Sequence, residues 1–301
     1  MRNLATCYSE HAIKVSDSYC SGNSNNIYVS PPAFNPAIQD EVSILYKVKL
    51  SSQNLLFITL TWSTHNIDFA FTISINEHHS NSSCKSFCLR KIKGSKKLEP
   101  FDSKIELIWD LTKATYDIGP EPVKGYFLAV LVNSEMISIG DLEDLEFKKH
   151  PFAKSSLVSR SERFYGKAEY STRAKFFETG TWHDIMITCV ADDRRTGKSS
   201  LSLCVSIDKK NVIQVKRLRW NFRGNQTMFL DGNLVDLMWD VHGWFFDSDS
   251  NMKSRRKGGI FLFRPRSGFD SRLWLEEKNL GEKEQEKVGA SLLIYACKNP
   301  D

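Results

Sequence analysis

Residues 235–241, with the sequence VDLMWDV, decide the fold because apolar residues recur there at every second position. Side chains of a β-strand point alternately to the two faces of a sheet, so Val235, Leu237 and Trp239 would face a core. A matching stretch, IELIWDL at residues 105–111, lies at an offset of 130 residues and needs no gap. The two stretches therefore predict equivalent strands in two related halves of the chain.

The rest of the sequence also has the pattern of β-structure. Segments rich in Val, Ile, Phe and Thr are separated by polar or glycine-containing turns at intervals of roughly 10 to 15 residues. Amphipathic helices do not alternate with these segments, which favours antiparallel sheets over βαβ units. Residues 273–287 are the one helix-prone stretch. The predicted fold class is all-β, an antiparallel β-sandwich or jelly-roll-like fold.

The internal matches also predict a domain organisation. Around the main match, residues 69–76 resemble 201–208 at an offset of 132, and residues 125–128 resemble 259–262 at an offset of 134. A competing match pairs the hairpin at 131–136 with the one at 206–212, and it stays open at this level. The sequence therefore predicts four parts along the chain: a flexible N-terminal segment 1–38, a first β-sandwich half 39–149, a connector 150–162 and a second β-sandwich half 163–301.

Charge is divided unevenly between the halves. The total of +5 separates into −2 for residues 1–150 (15 basic, 17 acidic) and +7 for residues 151–301 (26 basic, 19 acidic). The seven cysteines are an odd number, and the N-terminal stretch has no apolar segment typical of a secretory signal. We therefore expect an intracellular protein, cytoplasmic or nuclear or both, without a transmembrane segment.

The stretch KRLRWNFRGNQ at residues 216–226 concentrates part of the basic charge. Interpreted as a strand, it would place Leu218, Trp220 and Phe222 on the core face and arginines on the opposite face. Guanidinium groups bind phosphates and carboxylates in a bidentate manner, so this row predicts an anionic partner. Together with a nearby loop cluster, the candidate binding residues are Arg217, Arg219, Arg223, Arg255, Arg256 and Lys257.

One alternative to anion binding remains for this row, and one form of anion binding is weaker than the others. The arginines could instead pair with acidic residues across the sheet. A nucleic acid partner is the weaker form of the prediction, since aromatics that point to the core cannot stack on bases. The residues expected to have a structural role are Trp109, Asp110, Trp220, Phe222, Trp239 and Asp240.

Enzymatic motifs are scarce. The sequence has no glycine-rich phosphate-binding loop and no Gly-x-Ser-x-Gly elbow, and we expect neither a cofactor nor a metal site. We therefore predict a non-enzymatic interaction module whose basic sheet face in the second half docks an acidic partner, which is a protein, an anionic lipid headgroup or RNA. Two alternatives stay open: a carbohydrate-binding module that uses exposed aromatics at Trp182 and Trp244, and a hydrolase that uses Asp240 with His242.

Several quoted motifs also carry a resemblance. The runs RLRWNFRGNQT (217–227) and VDLMWDVHGWFF (235–246) resemble the plant-specific family catalogued as domain of unknown function 868. The runs IWDL (108–111), GPEP (119–122) and WHDI (182–185) are similar to the same family, and the resemblance covers roughly residues 40–297. It implies a plant origin but brings no established activity, cofactor or catalytic residue.

Overall fold

The structure, a computed structural model, shows an almost entirely β protein. It describes residues 13–14, 36–64, 71–76, 85–98, 104–141, 150–166, 169–192, 200–246, 258–266 and 289–297. The strands and the one short helix of this part of the chain are β1 (Ile13–Lys14), β2 (Ile38–Lys49), β3 (Leu55–Ser63), β4 (Phe71–Asn76), β5 (Lys85–Leu89), β6 (Lys93–Leu98), β7 (Ile105–Asp110), β8 (Thr115–Tyr116), β9 (Pro122–Lys124), β10 (Phe127–Val132), β11 (Glu135–Gly140), β12 (Lys154–Tyr165), β13 (Glu169–Ala174), β14 (His183–Asp192), β15 (Ser200–Ile207), β16 (Lys210–Val215), β17 (Arg223–Leu230), β18 (Asn233–Asp240), α1 (His242–Phe245), β19 (Gly258–Pro265) and β20 (Ser291–Cys297).

The chain divides into two compact units. The first unit is residues 39–163, and the second unit is residues 164–301 together with residues 1–38. The residues expected to form a connector, 150–162, are largely strand, since β12 runs through them and belongs mostly to the first unit.

The first unit contains two antiparallel sheets. One has the strand order β12-β2-β3-β4-β5, the other has the order β11-β10-β7-β6, and β8 and β9 form a separate ribbon. Along β3 every second side chain is buried, as the alternating sequence requires. Buried residues from both sheets form one apolar cluster, which includes Ile44, Leu60, Trp62, Phe71, Leu107, Val130 and Ile137. The unit is therefore sandwich-like, and most neighbouring strands follow one another in sequence. The exceptions are β12, which lies beside β2, and β10, which pairs with β7 although β8 and β9 lie between them in the chain.

The second unit repeats this plan. One sheet has the order β13-β14-β15-β16. The other has the order β1-β17-β18-β19-β20, in which β1 is parallel to β17. Buried residues of both sheets again share one cluster, which includes Tyr170, Ile187, Val205, Leu237, Phe261, Phe263 and Ile294. These two units confirm the prediction of an all-β antiparallel fold, and the two sheets of each unit, which share one core, are sandwich-like.

The registers make the two units equivalent strand by strand. Gly94 pairs with Trp109 between β6 and β7, and Gly224 pairs with Trp239 between β17 and β18, both at the offset of 130. On the other side, Asp110 pairs with Phe127 and Asp240 pairs with Ile260. The third strand is therefore matched at an offset of 133, one residue less than the sequence match at 125–128 indicates.

Two regions differ from the strands expected from the sequence. The stretch 216–226, interpreted above as a strand, is not one throughout, since β16 stops at Val215 and the chain turns through residues 216–221. Strand β17 then begins at Arg223, in a segment whose Gly224 and Asn225 are not typical of a strand. The helix-prone stretch 273–287 lies outside the described residues.

Within the part of the chain that the structure describes, no helix has the length and apolar content needed to cross a bilayer.

Candidate functional site

The end of β7 forms a hydrogen-bonded arrangement that we call the first tryptophan–aspartate corner, made by Trp109 and Asp110 with the residues that they bind. The Trp109 indole Nε1–H donates to the carbonyl oxygen of Lys91 at 2.8 Å. Asp110 Oδ2 lies 2.7 Å from Lys93 Nζ, and Asp110 Oδ1 accepts the backbone N–H of Thr112 at 2.9 Å. These bonds join two neighbouring strands to the loops at their ends.

The end of β18 forms the second tryptophan–aspartate corner in the same way. The Trp239 indole Nε1–H donates to the carbonyl oxygen of Asn221 at 3.1 Å. Arg223 Nε donates to Asp240 Oδ2 at 2.8 Å, and the backbone N–H of His242 donates to Asp240 Oδ1 at 2.9 Å. Each partner stands 130 positions after its counterpart in the first corner.

The corners also share a close approach of strands. A Cβ atom at Gly94 would lie 2.9 Å from the ring of Trp109, and a Cβ atom at Gly224 would overlap the ring of Trp239. Each indole therefore lies over the bare backbone of the neighbouring strand, which only glycine allows. In both corners the tryptophan side chain therefore has a structural role, which is to hold two neighbouring strands close together.

The hydrolase alternative depends on Asp240 orienting the ring of His242. Both carboxylate oxygens of Asp240 are bonded, one to Arg223 and the other to the backbone N–H of His242. The His242 ring contacts Phe222 and Phe246, with ring centroids 5.4 and 4.8 Å apart. Asp110 accepts the backbone N–H of Thr112 in the same way, so the bond from the His242 N–H to Asp240 is a capping interaction that both units share.

The segment of greatest interest is the turn at residues 216–221, which we call the basic tryptophan turn. Its backbone has helical bonding, since the N–H groups of Trp220 and Asn221 both donate to the carbonyl oxygen of Arg217, at 2.8 and 3.1 Å. Side chains two residues apart diverge in such a turn, whereas they align in a strand. As a result Leu218 is fully buried and Trp220 is 83% exposed.

This geometry corrects the strand interpretation of the row. Trp220 does not belong to the core, and Phe222, which was expected there, is only partly buried at the edge of it. Arg217 and Arg219 are exposed, and neither forms an ion pair with a described carboxylate. Arg223 is instead paired with Asp240.

The remaining predicted anion-binding residues, Arg255, Arg256 and Lys257, lie outside the described residues.

The aromatic pair of the carbohydrate alternative is separated by the structure. Trp182 is 55% exposed, with the Arg173 guanidinium 5.9 Å from its ring centroid. Trp244 packs against the core of the second unit, and its indole N–H donates to the carbonyl oxygen of Ala296 at 2.9 Å. Only one of the two tryptophans is therefore available to stack on a sugar.

A cluster that the sequence does not predict surrounds His183, the first residue of β14. Its Nδ1 lies 2.7 Å from Asp208 Oδ2, and its Nε2 lies 3.1 Å from Asp231 Oδ2. Thr181 Oγ1 also donates to Asp231 Oδ1 at 2.9 Å. Burial of the ring opposes protonation, but the hydrogen bonds to the two aspartates outweigh it and raise the pKa of His183. The His183 clamp thus joins hairpin turns of both sheets of the second unit.

A second unpredicted cluster is buried in the first unit on β12. Arg160 Nη1 lies 2.6 Å from Glu121 Oε2, and Arg160 Nε donates to Glu162, whose side chain is fully buried. Burial raises the pKa of Glu121, although Arg160 acts in the opposite direction. Burial, with a smaller contribution from Glu121, also raises the pKa of Tyr46 to about 12. These charged side chains explain why β12 looks like a connector in the sequence.

Among the described residues, no group of three His, Cys, Asp or Glu side chains could hold a metal ion. In the His183 clamp both ring nitrogens face carboxylates, so the imidazole has no nitrogen left for a metal. Neither cluster has a local sequence signature, because its members are brought together from distant strands and turns.

Comparisons with known proteins agree with the resemblance drawn from the motifs. No curated protein and no solved structure matches the chain. A family described as plant protein of unknown function (DUF868) matches residues 37–298, which contain both tryptophan–aspartate corners and the basic tryptophan turn. The chain therefore belongs to this plant family.

Proposed function

We propose that this chain is a non-enzymatic binding module that docks an anionic partner through the basic tryptophan turn. The observation that carries the proposal is the exposure of Arg217 and Arg219 beside Trp220, which is 83% exposed. Arginine and tryptophan are the residues most enriched among those that dominate binding energies at interfaces. A turn that presents all of them to solvent has the composition of a contact surface.

Other basic residues of the second unit support the proposal by contrast. Arg173, Arg223 and Arg266 lie within 3.5 Å of Asp184, Asp240 and Asp236, respectively. Their charges are thus compensated within the unit. Since Arg217 and Arg219 have no such described partner, their charge is available to an external anion.

Binding to immobilised heparin, a soluble polyanion, tests this function. We expect the double variant Arg217→Gln/Arg219→Gln to elute at lower salt than the unmodified chain, because two contacts to the polyanion are lost. The matched control is Lys91→Gln/Lys97→Gln, which removes the same charge from exposed positions of the first unit. Equal elution of the two double variants would mean that only net charge matters, and the proposal would be wrong.

A further inference from the structure

We infer that the anionic partner is a lipid bilayer, with Trp220 inserted at the membrane interface while Arg217 and Arg219 bind lipid phosphates. The inference rests on the proposed function and specifies its partner. It comes from the juxtaposition of one protruding indole and two uncompensated guanidinium groups in a single turn.

The exposure of Trp220 is the first argument. An indole has a large apolar ring and a single N–H donor, and tryptophan is accordingly enriched where a membrane meets water. No described residue accepts a hydrogen bond from the Trp220 indole N–H. The lipid headgroup region provides both an apolar layer for the ring and acceptors for this N–H.

The rigidity of the turn is the second argument. The turn has two hydrogen bonds besides its helical ones. Asn221 Nδ2 donates to the carbonyl oxygen of Lys216 at 2.9 Å, and the backbone N–H of Leu218 donates to the carbonyl oxygen of Leu201 at 2.7 Å. The second tryptophan–aspartate corner also binds the carbonyl oxygen of Asn221. Because the backbone of Trp220 is held in this way, only its side-chain torsions remain to be ordered when the indole binds.

The backbone conformation of the turn also supports a functional role. Arg217 has a φ of +51°, in the left-handed region that residues other than glycine seldom adopt. Such a conformation costs of order 1 kcal/mol and is concentrated at functional sites. Here it turns the chain so that Leu218 enters the core and Trp220 leaves it.

The compact shape of the turn favours a bilayer over other anions. A stable protein interface buries about 800 Å² per partner, and single-stranded nucleic acid needs a basic groove that follows several nucleotides. The basic tryptophan turn provides one protruding point. A bilayer suits a point contact, because phosphates surround the inserted side chain on every side and the hydrocarbon lies directly beneath.

The test is co-sedimentation of the full chain with phosphatidylcholine vesicles that contain or lack phosphatidylserine. We expect binding only to the vesicles that contain phosphatidylserine. Each basic residue near such a surface contributes about fivefold in affinity, so Arg217→Gln/Arg219→Gln should weaken binding by about 30-fold. Trp220→Ala should weaken it by about tenfold, since the ring no longer leaves water.

Two controls separate insertion from simple charge attraction. Trp182→Ala removes another exposed tryptophan of the same unit and should leave vesicle binding unchanged. Phosphatidylcholine with brominated acyl chains quenches tryptophan fluorescence by contact, so the quenching should disappear in Trp220→Phe. Quenching that persists in Trp220→Phe would overturn the insertion of Trp220.

The remaining outcomes distinguish this inference from the proposed function. Suppose that vesicles do not bind but that poly(U) RNA or polyglutamate binds in a manner sensitive to Arg217→Gln/Arg219→Gln. The bilayer is then the wrong partner, while the docking function of the turn stands. If no anionic probe responds to the double variant, both proposals are overturned.

Discussion

The two tryptophan–aspartate corners have the same bonds and different surroundings. In the first corner, the segment leading to Lys93 reads Arg90-Lys91-Ile92, and the residue capped by Asp110 is Thr112. In the second corner, the corresponding segment reads WNF at residues 220–222, and the capped residue is a histidine. The bonds that are shared describe the architecture of both units.

The residues that differ are the ones on which the proposed function of the second unit rests. An exposed tryptophan stands at position 220, where the first unit has an arginine. Phe222 and Phe246, whose ring centroids lie 5.4 Å apart, add aromatic surface next to the second corner. The two units share their strand plan, so residues of the second corner that have no counterpart in the first corner indicate function better than the shared ones do.

We expect the largest difference in stability between the two corners when their glycines are replaced. We expect Gly224→Ala to lower the free energy of unfolding by about 3 kcal/mol, because its Cβ would overlap the Trp239 ring and force the strands apart. Gly94→Ala should cost clearly less, since its Cβ would meet Trp109 at 2.9 Å. Urea unfolding followed by circular dichroism measures both values. Equal losses would mean that the two corners are packed equally tightly.

The His183 clamp provides the next comparison, because the equivalent strand position in the first unit is the buried Leu56. We expect His183→Leu to lower the free energy of unfolding by about 2 kcal/mol, because the hydrogen bonds to Asp208 and Asp231 are lost.

The clamp also predicts a pH dependence. Because the pKa of His183 is raised on folding, its contribution is complete below the unfolded value near 6.5 and is lost as pH rises through the folded value. Thermal unfolding across this range should show that loss in the unmodified chain. The same loss in His183→Leu would assign the pH dependence to another group.

The smallest effect concerns the aspartate of the first corner. Hydrogen bonds from Lys93 and then from Thr112 lower the pKa of Asp110 to about 2. We expect Asp110→Asn to cost about 1 kcal/mol at neutral pH, since the charge-assisted bonds become neutral ones. This contribution exists above the unfolded pKa near 4 and disappears as pH falls through about 2. Denaturant titrations in acid should therefore converge for the variant and the unmodified chain, and a constant gap would contradict the assignment.

Sequence periodicity predicts the regular parts of this fold well. Strands β7 (Ile105–Asp110) and β20 (Ser291–Cys297) follow the alternation in their sequences, because each has one buried face and one wetter face. The offset of 130 also predicts which strands are equivalent. Alternation and repeat thus contain most of the information on the sheets.

The site is much less accessible from the sequence. The pattern at 216–222 fits a strand and a helical turn alike. The hydrogen bonds from the N–H groups of Trp220 and Asn221 to the Arg217 carbonyl oxygen, with the left-handed φ of Arg217, decide in favour of the turn. The structure therefore exposes Trp220, which the strand interpretation places in the core. The His183 clamp is invisible for another reason, since its members are distant in sequence and meet only when the sheets pack.

The shared register of the two corners has a consequence for how the chain folds. A glycine opposite a tryptophan and a cation opposite an aspartate occur in both β6–β7 and β17–β18, so these strands have interchangeable pairing edges. Duplicated sequences of this kind are prone to strand exchange between copies. The hairpin β17–β18 closes through only Asp231 and Gly232, both with positive φ, which makes pairing within the hairpin the shortest loop closure available to it. We therefore expect this tight turn to favour pairing within the hairpin over strand exchange between copies of the chain.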